Sequence, residues 1–416
     1  MLVLLLFFGL MNPGDSVTTA LQSYLDQKDY FRLKTTLEET SPRLPVTDRA
    51  YFEAFVDNAF GHPESSRDLV KGLLDNPHLT LTEVQQFRLW ILQGNNYYKL
   101  GQYRLARQTC DTLLARYKNL VDDADDLLNN RMLWGALEDV PPMEIHLPAD
   151  RPAPIPWKRD AGGLMNVPVR KDTSTYDFVF DTGAGLSTIS ESFAHQLHLR
   201  LKTAELDVQS STGIHNRSTL AVADSLYLGS ILLKNVVFLV LPDAHLSFPQ
   251  IHYTIHAILG MPVICQLEEV RINKDGTMRV TPAVTARSSN LALDGWTPII
   301  SVGVVGDTLS FYLDTGANTT ELLSPFFRKY AQRILASGQL AVSRRGGAGG
   351  VVKTEVYRMK DFPLFVGGQQ VTLPSVDALA HAARDEKYYG SIGQDVISQF
   401  PEMVLNFRYM YVSFLQ

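Results

Sequence analysis

Cysteine is nearly absent from this 416-residue sequence, with only Cys110 and Cys265 present. Disulfides therefore cannot carry its stability, and no Cys or His spacing resembles a metal-ligand set. Cys110 falls in a helical pattern and Cys265 in a segment expected as a core strand, so both read as buried thiols. The pairs His195/His198 and His252/His256 have no carboxylate to complete a ligand set, and no metal or other cofactor is expected. Basic blocks are also missing. Lysine and arginine are scattered and the formal net charge is −6, so neither nucleic acid nor an anionic membrane is an expected partner. The apolar run at residues 2–11 is too short for a bilayer, which takes about 20 residues. There is no Gly-x-Ser-x-Gly elbow, and the glycine-rich residues 344–350 are not followed by the Gly-Lys-Ser/Thr of a phosphate loop.

What remains is an ordinary globular composition, 45% hydrophobic and 20% charged, with length for two or three domains. Its most informative feature is a duplication. Phe178-Val179-Phe180-Asp181-Thr182-Gly183-Ala184 returns 133 positions later as Phe311-Tyr312-Leu313-Asp314-Thr315-Gly316-Ala317. Each copy reads as a buried strand of β-favouring residues that stops at a turn and leaves a carboxylate at its end. The offset recurs downstream. Ala257-Ile258-Leu259-Gly260 matches Gly390-Ser391-Ile392-Gly393, each last glycine 79 positions after its aspartate, and Ile272-Asn273 matches Leu405-Asn406. Val167 and Val169 match Ile300 and Val302. Only the middle drifts, to an offset of 138 for residues 226–229 against 364–367, as loop insertions and deletions produce. The spacing predicts two related units of about 115–120 residues, with their aspartates meeting across a two-fold axis.

Two Asp-Thr-Gly-Ala segments, each followed by a flap-like stretch and then apolar-apolar-Gly, resemble the aspartic peptidase family. Unit length and the alanine after each Gly bring the chain closer to the retropepsin branch than to the pepsin branch. It is most similar to bacterial aspartyl proteases with two retropepsin-like lobes in one chain, over residues 164–416. The resemblance implies an all-β bilobal acid-protease-like fold in which Asp181 and Asp314 are the catalytic pair. It also implies that Thr182 and Thr315 hydrogen-bond across the lobe interface. Gly183 and Gly316 would let backbone amides approach the carboxylates, and Gly260 and Gly393 would let the apolar-apolar-Gly segments pass close to the aspartate loops. Gly213 in one lobe and Gly347 and Gly349 in the other mark candidate flaps, beneath which a peptide or protein substrate would lie as an extended strand. The sequence departs from the family pattern in three respects, one being that the two flap segments differ in composition and neither shows a pepsin-type flap tyrosine. Ala184 and Ala317 stand where pepsin-like enzymes usually carry a hydroxyl, and Met261-Pro262 follows the first glycine where Gln394-Asp395 follows the second.

Residues 17–140 are expected as an all-α helical repeat domain. Residues 96–106, with Leu100-Gly101 at the turn, then Tyr103 and Ala106, resemble a tetratricopeptide helix pair. Such a domain would either dock a protein partner or cap the catalytic unit. Residues 141–158 carry six prolines and are expected as an extended, semi-rigid linker. Lobe one is then expected over residues 159–280, a connector over 281–295, and lobe two over 296–416 with a single longer helix at 325–336. Residues 1–16 resemble a secretory signal segment, although a positive n-region and an Ala-x-Ala site are missing. Export to a bacterial periplasm or cell envelope would follow. A monomer with an intrachain aspartate pair is the simplest arrangement. Three alternatives stay open: a binding protein without turnover, a helical scaffold whose peptidase part is structural, and a dimer pairing lobes between chains.

Overall fold

The computed structural model describes residues 13–121, 124–148, 152–209, 213–249, 252–381 and 386–415. Residues 1–12 of the expected signal segment lie outside them. Among the described residues, no helix is long and apolar enough to cross a membrane.

The N-terminal region is helical: Pro13–Asp26, Tyr30–Thr40, Val46–Ala59, Pro63–Asp75, Glu83–Lys99, Tyr103–Arg116 and Ala124–Ala136. Glu83–Lys99 begins at a capping box. The Thr82 hydroxyl accepts from the Gln85 N–H, and the Gln85 side chain accepts from the Thr82 N–H. The helix ends at Leu100, and Gly101 turns the chain with φ of +65°. On the next helix Ala106 is fully buried, where its small side chain allows close packing. Asn58, Asn96 and Ser66 are buried and bonded to one another, which links three of the helices.

Two large sheets follow. The first runs in the order Glu144–His146, Ile231–Leu241, Ser187–Ser190, Ala257–Leu259, Ser174–Phe180, Met165–Lys171, His215–Leu228, Arg200–Gln209, with Lys158–Arg159 beside Met165–Lys171. The second runs Leu291–Asp294, Thr297–Val304, Asp307–Leu313, Gly390–Ile392, Glu321–Leu322, Gln369–Ala378, Gly350–Val366, Gln339–Gly347. Each sheet folds back on itself, pairing Val169 with Leu228 in one and Val302 with Val366 in the other. The architecture is a helical region followed by two β lobes.

A five-stranded sheet joins the lobes in the order Ile155–Pro156, Thr277–Thr281, Glu269–Asn273, Glu402–Asn406, Tyr411–Leu415. Its central pair is antiparallel and sets Arg271 opposite Val404. Those residues are themselves one 133-position repeat apart. An antiparallel pair centred on equivalent residues is two-fold symmetric about that centre, so a pseudo-two-fold axis passes between Arg271 and Val404.

Several segments differ from the sequence reading. The Pro-rich residues 141–158 are extended in part but are also built into the sheets: the proline-free Glu144–His146 pairs with Ile231–Leu241, and Ile155–Pro156 pairs with Thr277–Thr281. Pro156 is tolerated because Ile155–Pro156 is an edge strand. The connector over 281–295 is shorter than expected, since buried Leu291, Ala292 and Leu293 already form the first strand of lobe two. The helix expected over 325–336 is two helices, Ser324–Lys329 and Ala331–Ser337. They part at Tyr330, which leaves helical geometry, packs its ring tilted against Phe326 and donates to Asp307. Cys265 lies in the short helical turn Cys265–Leu267 rather than a strand, and both thiols are free.

One apolar core runs through the helices and both lobes, including Leu33, Phe52, Leu89, Phe180, Phe238 and Phe311. Polar contacts reinforce the join. Asp294 accepts from Lys28 Nζ (2.9 Å), Tyr30 Oη (2.7 Å) and Tyr388 Oη (2.5 Å). Asn129 exchanges two hydrogen bonds with the backbone of Asp207 in the Arg200–Gln209 strand of lobe one.

Candidate active site

Ser174–Phe180 and Asp307–Leu313 lie inside their sheets and bury Phe178, Phe180, Phe311 and Leu313 completely. Each strand ends against a parallel neighbour. The Asp181 N–H donates to Leu259 O, and the Asp314 N–H to Ile392 O, both at 3.0 Å. The chain then turns at Asp-Thr-Gly, so the two carboxyls emerge at matching strand ends near the axis.

The threonines lock the loops together. Thr182 N–H donates to Thr315 Oγ1 and Thr315 N–H to Thr182 Oγ1, each at 3.0 Å. Thr182 Oγ1 donates in turn to Leu313 O (2.8 Å), and Thr315 Oγ1 to Phe180 O (2.9 Å). Both threonines are buried. The four bonds obey the same two-fold relation as the sequence repeat.

Each carboxylate packs on the other lobe's glycine. A β-carbon on Gly183 would stand 2.5 Å from Asp314 Oδ1, and one on Gly316 would stand 2.5 Å from Asp181 Cγ. Asp181 accepts from the Gly183 N–H (2.7 Å) and Asp314 from the Gly316 N–H (2.9 Å). The two carboxyls thus stand side by side at the lobe junction. Burial raises both above the ordinary aspartate range, and the neighbouring carboxylate pushes Asp314 further; the amides of Gly183 and Gly316 work in the opposite direction. The pair therefore keeps one proton where an isolated aspartate would have lost it.

Gly260 and Gly393 pass behind the loops. A β-carbon would meet Ala184 O at 2.6 Å in the first case and Thr319 O at 2.7 Å in the second. Their amides donate to Ser187 Oγ (3.0 Å) and Thr320 Oγ1 (3.1 Å). Sequence reasoning missed these two hydroxyls, although they too are 133 positions apart and a full comparison of the repeats would have exposed them.

The faces beside the aspartates can be read from strand alternation and register. Tyr312 shares a face with Asp314, Ser391 stands opposite Tyr312, and Glu321 opposite Ser391. Lobe one places Val179, Ile258 and Thr188 in the equivalent positions. One wall is thus mostly apolar and the other polar and charged.

Two hairpins occupy the candidate flap positions. In lobe one, Arg200–Gln209 pairs with His215–Leu228, and Gly213 has φ of +82° in the turn, of which residues 210–212 lie outside the described residues. In lobe two, Gln339–Gly347 pairs with Gly350–Val366, Gly347 lies opposite Gly350, and Ala348-Gly349 forms the turn. This second tip reaches lobe one. The Gly349 N–H donates to His245 O (2.9 Å), and a β-carbon on Gly349 would lie 2.8 Å from Ile214 Cγ2, next to Gly213. No cluster of three metal-ligating side chains occurs among the described residues. A cavity of about 330 Å³ where the helices meet both lobes, lined by Tyr98, Lys99, Leu186, Pro262, Cys265 and Trp296 among others, contains neither carboxyl.

Residues 167–263 match the model of an aspartyl protease family. The chain carries an aspartic protease-like domain. The matched span contains Asp181, Thr182, Gly183 and Gly260 and stops short of Asp314. Geometry alone brings the second copy to the first. No curated protein matches the chain.

Proposed function

We propose that this protein is an aspartic endopeptidase in which two retropepsin-like lobes of one chain contribute Asp181 and Asp314. The observation that carries the reading is the reciprocal threonine lock, which sets each carboxyl against the glycine of the other lobe. The ionised member takes a proton from a water held between the two, and that water attacks the scissile carbonyl. The protonated member donates to the developing oxyanion and so stabilises charge formed only in the transition state. The Ala348-Gly349 turn of lobe two lies against Ile214 and His245 of lobe one, and the substrate strand enters when this contact parts.

Cleavage of an unfolded protein between pH 3 and pH 7 tests this. The wild type should cleave, and Asp181→Asn and Asp314→Asn should each abolish cleavage. A variant that keeps activity would remove the shared-water mechanism. A wild type inactive throughout would favour a non-catalytic peptide-binding protein of the same fold.

We further propose a bacterial exported enzyme of the periplasm or cell envelope, on the strength of the apolar residues 2–11. Fractionation that finds the protein in the cytoplasm would overturn this. The dyad forms within one chain, which supports a monomer, and sedimentation checks it. The helical region is proposed as a tetratricopeptide-like unit that caps the lobes and offers its outer face to a protein partner.

A further inference from the structure

The lobe-two hairpin carries an arginine whose hydrogen-bonding capacity is not used up. Arg345 lies on the Gln339–Gly347 strand, and its Nε and Nη2 form a fork on Glu321 Oε1 and Oε2 at 2.8 and 2.7 Å. Its side chain is only 10% exposed, yet Nη1 is buried without a partner among the described residues. A buried donor in that state is costly, so the site is incomplete without an acceptor.

The position of this donor points to the substrate. Glu321 shares its sheet face with Ser391, Tyr312 and therefore Asp314. The fork thus ties the hairpin to the very face along which a substrate strand would run. The surrounding charges are already matched: Arg358 makes its own fork on Asp377, and Glu386 accepts from the Ser324 N–H. Glu321, Asp377 and Glu386 lie near one another, and the nearby guanidinium groups are engaged, Arg345 on Glu321, Arg358 on Asp377 and Arg328 on Ser324 Oγ. An incoming carboxylate would bring a fourth negative charge beside these three, whereas a carboxamide would bring none. When the hairpin lifts to admit the substrate, Nη1 is uncovered and a carboxamide oxygen can accept from it. The lobe-one wall, Val179, Ile258 and Thr188, has no charged counterpart.

We infer that Arg345 is a specificity-determining residue that selects an asparagine or glutamine side chain of the substrate at one subsite, on the lobe-two side of the scissile bond. This rests on the peptidase reading above.

The test is position-resolved cleavage of a peptide library by the wild type, Arg345→Met and Glu321→Gln/Arg345→Met. The double variant leaves no unpaired carboxylate at the fork, which guards against simple misfolding. The wild type should enrich Asn or Gln at one position, and both variants should lose that enrichment. For a matched pair of peptides bearing Gln or Leu there, the ratio of kcat/KM should fall about ten-fold or more in the double variant. Retention of the preference in the double variant overturns the inference, as does a wild-type preference for Asp or Glu at that position. Cleavage by the wild type with no polar preference overturns it while leaving the peptidase reading intact. No cleavage by the wild type between pH 3 and pH 7 overturns both.

Discussion

Replacing Thr182 with valine isolates the contribution of the threonine lock. The Thr182 hydroxyl satisfies two buried backbone groups of the other lobe: it donates to Leu313 O at 2.8 Å and accepts from the Thr315 N–H at 3.0 Å. Valine removes both bonds while keeping the shape. Each backbone group left unpaired costs about 1–3 kcal/mol, and the added methyl returns about 0.8 kcal/mol. The expected net loss is about 1–5 kcal/mol. Thr182→Ser keeps the hydroxyl and should stay much closer to the wild type. Urea unfolding followed by tryptophan fluorescence reads the difference as a lower midpoint at unchanged slope. The reciprocal bonds also fix where Asp181 stands relative to Asp314, and a shift of about 1 Å there costs roughly 100-fold in rate. Thr182→Val should therefore lose kcat/KM disproportionately. A valine variant matching the serine variant in both midpoint and kcat/KM would refute the argument that these bonds hold the lobes in register.

The raised carboxyl values predict a signed effect on stability. Between the ordinary aspartate value near 3.8 and the raised folded value, the native pair holds a proton that the unfolded chain has released, so stability falls as pH rises. Asp314→Asn removes that dependence, and its Tm relative to the wild type should increase from pH 4 to pH 7; a decrease would contradict the shared proton. Ala184 and Ala317 offer the carboxyls no hydroxyl donor, which removes one stabiliser of the charged form. A pH–rate profile should therefore peak above about pH 3, and an optimum below that value would count against the reading. Deleting residues 13–140 should leave an insoluble or inactive remainder, because the apolar core is continuous across the junction and Asp294 loses Lys28 and Tyr30. Recovery of a soluble, active two-lobed fragment would show that the helices are dispensable.

The helical region and the β lobes were legible because helix period and strand alternation survive in any single segment. The repeat was legible because the residues on the axis are constrained from both sides. Asp-Thr-Gly, the apolar-apolar-Gly segment and the Glu269–Asn273/Glu402–Asn406 pair all keep the 133-residue offset, since altering one half would break its fit to the other. Less legible were features that depend on distant partners. Leu291, Ala292 and Leu293 look like a connector until the strand ending in Asp294 is seen against Thr297–Val304. Glu144–His146 shows no strand signal within the five residues between Pro142 and Pro148 and becomes a strand only because Ile231–Leu241 has an open edge. Ser187 and Thr320 carry no local signature at all. Arg345 stood inside a glycine-rich run, where its pairing with Glu321, 24 positions earlier, has no periodic trace.

Where the two halves have diverged, each has a different neighbour. Met261 and Pro262 follow Gly260 in lobe one, and there Met261 is fully buried while Pro262 lines the cavity facing Tyr98 and Lys99 of the helices. An apolar pair suits that contact. Gln394 and Asp395 hold the equivalent positions in lobe two, away from that cavity. Gln394 Nε2 donates to Thr315 O (2.8 Å) while its Oε1 accepts from Arg159 Nη2 (2.8 Å), and Asp395 accepts from the Thr320 N–H and hydroxyl. In both lobes the residue after the glycine still donates its amide to the alanine carbonyl beyond Asp-Thr-Gly, Met261 to Ala184 and Gln394 to Ala317. Backbone symmetry is thus retained on the inner side of the loop, and side-chain identity is released on the outer side. The same division separates the apolar wall of Val179, Ile258 and Thr188 from the polar wall of Tyr312, Ser391 and Glu321. A single chain can therefore acquire a helical cap and an asymmetric cleft without moving either aspartate, because none of the diverged side chains contributes to the four threonine bonds that hold the pair.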